Sequence, residues 1–273
     1  MLNQRGAPGA TAPSPPPEPG DAPAGWGPSL LLFGIPGVLL ILTIHLVNPL
    51  LVDAGVPLVV SFTLSLYGVL FGLLVATFVR YRRSGHPMTR PAVEERLRLR
   101  RLERREWAWV AAAVAVTIVG DAALEPALHW MATTLPLPVP DALPSLFDPR
   151  EELSLPPTEY LGVSLEGRWW ILAVYAVSLF VNIIGEELWW RGYVLPRQEQ
   201  AFGEWAWLVN GVLWIVVFHA FMWWAYPTLL VTGLVTPFVA QRFQSTWAAV
   251  AVHGTGNALF LLLLLAGVLG AGT

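Results

Sequence analysis

The sequence predicts an all-α, polytopic bundle of membrane-spanning helices, about seven in number, with six and eight as bounds. Three observations lead there. Of 273 residues, 55% are hydrophobic and 13% charged, about half the roughly 25% charged share of soluble domains. Mean hydropathy is +0.56. The apolar residues lie in long, non-alternating runs rich in Leu, Ala and Val. A bilayer requires each span to satisfy its own backbone groups, so such runs are helices rather than barrel strands. There is no cysteine, which excludes a disulfide scaffold, a thiolate metal site and a cysteine nucleophile. A net charge of −3 gives no reason to expect a nucleic-acid partner.

Residues 1–28 hold eight of the 24 prolines. With little to bury, they read as a disordered, partly polyproline II tail. They lack the basic start and adjoining apolar core of a secretory signal. The membrane domain is expected over 29–273. Its apolar runs are Leu30–Val47, Pro57–Val79, Trp107–Gly120 extending towards Met131, Trp169–Val194, Glu204–Trp224, the short Thr228–Ala240, and Thr246–Leu269. Ten of the sixteen basic residues crowd the 80–106 loop, between Arg80 and Arg105. The positive-inside rule puts that loop, and hence the N-terminus, in the cytoplasm, with the acidic, proline-rich 136–167 loop outside. An amphipathic surface helix is expected over Glu94–Glu106, supported by an i,i+4 pair of Glu94 and Arg98.

The fourth run carries charge where charge is expensive. Glu186, Glu187 and Arg191 fall within six residues, and each charged group at a bilayer centre costs about 2.5–3.5 kcal/mol on insertion scales. Glu187 and Arg191 are four apart and can pair. Glu186 points about 100° away around the helix. A carboxylate so withdrawn is poised as a general base or acid. His219 interrupts the fifth run, and His253 and Asn257, again four apart, interrupt the seventh. These groups must find partners inside the bundle, and the simplest solution is that they meet one another. At about 1.5 Å per residue, Glu186 lies roughly 16 Å, His253 roughly 10 Å and His219 roughly 22 Å below their cytoplasmic helix ends. His219 therefore needs a fifth helix that starts later or tilts.

A desolvated carboxylate, two histidines and an amide suit amide hydrolysis. Glu186 would take a proton from water, His253 and Asn257 would stabilise the oxyanion, and His219 would orient the water or protonate the leaving amine. A zinc shell of Glu186, His219 and His253 is the metal alternative, although HExxH is absent. Asn182 and Asn210 read as packing or cap residues rather than catalytic ones. Asp121, Glu125 and His129, spaced by four, read as an outer polar edge, with substrate access as a minority role. His45 and Asn48 read as interfacial, and Trp189, Trp190, Trp223 and Trp224 as belt or core residues.

Together, EELWWR (Glu186 to Arg191), His219 and HGTGN (His253 to Asn257) resemble the motifs EExxxR, FxxxH and HxxxN of the CAAX-protease and bacteriocin-processing family, also called Abi, whose type member is the type II CAAX prenyl endopeptidase. The second motif departs from the pattern, since Ile215 stands where phenylalanine is expected and the nearest aromatics are Trp214 and Phe218. The resemblance covers about Trp169–Leu265. It implies a membrane-embedded endopeptidase core over 169–265. Glu186 would be the base, Glu187 and Arg191 would support it, His219 would belong to the catalytic shell, and His253 and Asn257 would stabilise the oxyanion. No cofactor is required in this reading, and zinc is the alternative. It further implies a bacterial plasma membrane and a membrane-associated peptide or protein substrate reaching a cytoplasm-accessible cavity. A non-catalytic scaffold or bacteriocin-immunity protein of the same fold is the alternative function. A transporter using Glu186 as a proton relay is a third, weakened by the lack of any repeat between halves.

Overall fold

Backbone groups removed from water must close their hydrogen bonds locally, and the apolar runs form helices in chain order. The computed structural model describes residues 22–151 and 155–271. α1 (Trp26–Leu42) continues through a π-helical turn at Thr43–Val47 into α2 (Asn48–Asp53). α3 (Leu58–Arg83), α4 (Arg90–Arg96) and α5 (Arg104–Thr134) follow. After the 136–167 loop come α6 (Trp169–Glu187), a second π-helical stretch at Leu188–Val194, α7 (Leu195–Phe202) and α8 (Ala206–Val216). A 3-10 segment at Phe218–Ala225 leads to α9 (Tyr226–Phe243) and α10 (Thr246–Val268). The expected tail lies mostly outside the described residues, and helix begins at Trp26, earlier than the boundary drawn from composition.

The helical bundle is as expected, and among the described residues six helical stretches are long and apolar enough to cross a membrane. The difference from seven lies in the fifth run. Glu204–Trp224 is not one helix. α8 has 11 residues, about 16 Å of rise against a hydrocarbon core of about 30 Å. It is joined to α7 through Gly203, whose φ of +56° suits glycine. Asn210 on α8 donates to the Trp190 carbonyl and to Gln198 Oε1, so α8 runs back antiparallel to the end of α6 and α7. Gln241 near the end of α9 accepts from the Trp207 backbone N–H, so α9 is antiparallel to α8. The third run does not split: α5 is continuous over 31 residues, with Pro126 inside it.

The basic loop also differs from expectation. α4 ends at Arg96, and Arg98 lies beyond it in the left-handed region (φ +53°). Its guanidinium is therefore off the Glu94 face. It forks onto Glu199 of α7 with two 2.7 Å bonds, while Glu94 pairs with Arg90. Residues 97–100 then cap α10: Thr246 donates to the carbonyls of Arg98 and Leu97, and Ser245 Oγ donates to Arg100. Outside the helices, β1 (Glu159–Tyr160) and β2 (Val163–Ser164) form a two-residue hairpin with Tyr160 opposite Val163.

The core gathers between α1, α3, α6 and α8. Phe33 stacks on Trp190 with centroids 4.0 Å apart, and Phe218 meets the edge of Trp190 at 5.1 Å. Trp189, Trp190, Trp223 and Trp224 are all buried, so these four are core rather than belt residues. α8 and α9 meet through glycines. A Cβ at Gly211 would stand 2.5 Å from the Gly233 carbonyl oxygen. Gly211→Ala should therefore lower stability by about 1–3 kcal/mol through backbone displacement. Gly72→Ala, where a Cβ meets nothing within 4 Å, should not. Unfolding midpoints in detergent compare the two.

Candidate active site

The charged motif sits where α6 passes into its π-helical stretch. Such bulges shift the side-chain register and are frequent at functional sites. Gly185 comes first: a Cβ there would lie 2.9 Å from the Leu70 carbonyl oxygen, so α3 presses directly on α6 at this level. Glu187 is fully buried and Arg191 is 1% exposed. Glu187 Oε1 accepts from Arg191 at 2.7 Å and from His253 Nδ1 at 2.8 Å. One carboxylate oxygen thus ties α6, the π-helical stretch and α10. Glu187 Oε2 and Arg191 Nε have no hydrogen-bond partner among the described residues, so the pair is not a fork.

Glu186 faces a different neighbour. The Trp214 indole N–H donates to its Oε2 at 2.7 Å. α8 ends two residues later, and the last carbonyls of a helix have no intrahelical donor. His219, in the 3-10 segment with non-helical φ/ψ, fills that need by donating Nδ1–H to the Trp214 carbonyl at 2.9 Å. This settles the depth problem. The helix stops short, and the His219 ring folds back to the level of residue 214, which is also the level of Glu186. With Nδ1 carrying the proton, the neutral ring offers Nε2 as an acceptor. The Trp214 ring stands edge-on to His219 at 4.1 Å and to His253 at 5.4 Å, and the Arg191 guanidinium lies 5.3 Å from it. In the sequence Trp214 stands only as a displaced aromatic. Its signal was a tryptophan five residues before the histidine of an otherwise broken motif.

Glu186, His219, His253 and Asn257 all line one cavity of about 930 Å³. Glu187 and Arg191 stand behind it. Asn257 donates Nδ2–H to the His253 carbonyl at 3.2 Å and accepts, at its own carbonyl, the Tyr175 hydroxyl at 2.8 Å. Asn182, one turn before Glu186 and read as packing, also lines the cavity. Asn210 does pack, as described above.

The cavity continues between α5, α9 and the 136–167 loop. Asp121, Glu125 and His129 line it beside Phe147, Asp148 and Glu151. Asp121 accepts from the Thr232 backbone N–H and hydroxyl, and His129 Nδ1 donates to the Pro149 carbonyl. The Arg150 guanidinium holds the Asp148 carboxyl below the usual carboxylate range. No lining residue comes from the basic loop. On that side Gly192 packs against Leu97 and Thr246, and the loop that borders the cavity is the 136–167 loop rather than the basic one. His45 and Asn48 are structural ties rather than surface groups: His45 Nε2 donates to the Phe221 carbonyl and Asn48 Nδ2 to the Ala142 carbonyl, each at 2.7 Å.

Glu186, His219 and His253 line the same cavity, and among the described residues no three of His, Cys, Asp and Glu are grouped so as to hold a metal ion.

A helix bundle that shields a carboxylate, two imidazoles and an amide around one cavity has the makings of a membrane-embedded peptidase. Residues 168–259 match the family model described as type II CAAX prenyl endopeptidase, Rce1-like. The matched stretch contains all three motifs, and the resemblance read from them is borne out over this part of the chain. No curated protein and no solved structure matches the chain.

Breaking a buried ion pair costs about 3–5 kcal/mol, whereas replacing both partners by apolar groups is often neutral. Glu187→Ala should therefore unfold at markedly lower denaturant. Glu187→Leu combined with Arg191→Met should recover most of the loss. Unfolding curves in mixed micelles check the comparison.

Proposed function

We propose that the protein is an intramembrane endopeptidase that hydrolyses a membrane-associated peptide with a water activated by Glu186. The observation carrying this reading is the convergence of Glu186, His219, His253 and Asn257 on one cavity. Trp214 engages one Glu186 oxygen, so the other is the proton acceptor. As the water oxygen attacks the scissile carbonyl carbon, its proton passes to Glu186 and His219 Nε2 orients it. The carbonyl π electrons move to oxygen, and that oxyanion takes hydrogen bonds from Asn257 and from His253 Nε2–H. Collapse of the intermediate breaks the C–N bond. The proton held by Glu186 goes to the departing nitrogen, leaving a new carboxyl end and a new amine end.

His253 Nδ1–H is directed at Glu187, so its Nε2 carries a hydrogen only in the imidazolium form. Glu187 thereby keeps His253 oriented and its charge compensated. The mechanism uses no metal or other cofactor. The bundle lies in a bacterial plasma membrane with its N-terminus in the cytoplasm, so the cavity takes its substrate from the outer side or from the bilayer.

Purified Glu186→Ala should keep the helical circular dichroism and unfolding midpoint of the wild type yet cleave no membrane-anchored peptide; wild-type cleavage by this variant would remove Glu186 from the role of base. Asn257→Ala should lower kcat by about 10²–10³-fold, the usual cost of one oxyanion donor. Cleavage should survive exhaustive chelation; loss of activity restored by zinc would overturn the metal-free step.

A further inference from the structure

We propose that Trp214 is the positioning residue of the site, fixing through its indole N–H which oxygen of Glu186 receives the proton and through its main-chain carbonyl which nitrogen of His219 faces the water. The proposal rests on the reading of Glu186 as base and adds to it the group that aims it. Two independent hydrogen bonds leave this one residue, 2.7 Å to Glu186 Oε2 and 2.9 Å from His219 Nδ1. Its ring also packs against the edges of both histidines. A side chain held from several directions keeps its rotamer, and a base is efficient only when held close to its productive geometry.

The indole bond to Glu186 is not a by-product of packing. Trp189 and Trp190 are equally buried, and their indole nitrogens have no partner among the described residues. The bundle thus accepts a tryptophan whose N–H is unpaired, while at Trp214 the N–H meets a carboxylate. The break of α8 at Val216 supplies the second half of the device. It leaves the Trp214 carbonyl without an intrahelical donor, and His219 is the donor that takes it. An aromatic without N–H at this position would keep the ring contacts and the carbonyl, and lose only the aim of Glu186.

Trp214→Phe removes that donor, and 3-benzothienylalanine at position 214 removes it while preserving the bicyclic shape. Both should lower kcat on the order of tenfold to a hundredfold, as expected for a lost hydrogen bond to a charged group, with KM for a membrane-anchored peptide held within about twofold. A ¹⁵N-tryptophan spectrum gives a readout that packing alone would not move. One indole resonance disappears in Trp214→Phe, and that same resonance should shift in Glu186→Gln. An unmoved resonance, or wild-type kcat in the benzothienylalanine protein, overturns the proposal. If the resonance shifts but the wild type cleaves no membrane peptide, the hydrolytic reading falls and this proposal with it. If the wild type cleaves and both position-214 variants cleave equally well, only this proposal falls.

Discussion

The Glu187 carboxylate is the point from which the rest of the interior is organised. At membrane depth, a buried carboxylate is tolerable only with hydrogen-bond donors around it, best of all charged ones. Glu187 finds them in Arg191 on its own chain segment and in His253 on α10. Satisfying that one group brings α10 against α6 and sets the His253 ring at the cavity wall. The residue next to it, Glu186, is turned away from Arg191 and is left to a neutral donor, the Trp214 indole. Two adjacent glutamates thus receive opposite treatment: one is held by an arginine and a histidine, the other by a single indole N–H at the cavity.

The interrupted fifth crossing follows the same logic. A continuous helix over Glu204–Trp224 would carry His219 past the level of Glu186. Ending α8 at Val216 frees backbone carbonyls, which must then be satisfied. His219 takes one of them, and Tyr226 Oη takes the Val216 carbonyl. The irregular segment is held from outside by His45, which donates to Phe221 from the end of the first span. Non-helical backbone at membrane depth is accommodated where protein surrounds it or a cavity adjoins it, and Phe218–Ala225 meets both conditions.

The helical class and the charged motif were legible in the sequence because each rests on local spacing: long apolar runs give spans, and an i,i+4 pair gives Glu187 with Arg191. Where tertiary contacts decide, spacing misled. Arg98 is four residues from Glu94, yet a left-handed backbone turns it to Glu199. Glu204–Trp224 is apolar enough for a span, yet satisfying its polar groups requires a break. Asp121, Glu125 and His129 were visible as a stripe, but their share in the cavity wall depends on a loop far along the chain. Trp214 carried no motif of its own, since a tryptophan among tryptophans gives no sign of which one meets a carboxylate.

The glycine contact between α8 and α9 has a bearing on how such a protein can diversify. Backbone touches backbone there, so the wall that carries Trp214 has little freedom to change shape or size. The opposite wall, made by α5 and the 136–167 loop, contains half-exposed side chains joined by scattered hydrogen bonds rather than by backbone contact. New preferences for what enters the chamber would accordingly accumulate on that wall, while the end that holds Glu186 and Trp214 stays unchanged.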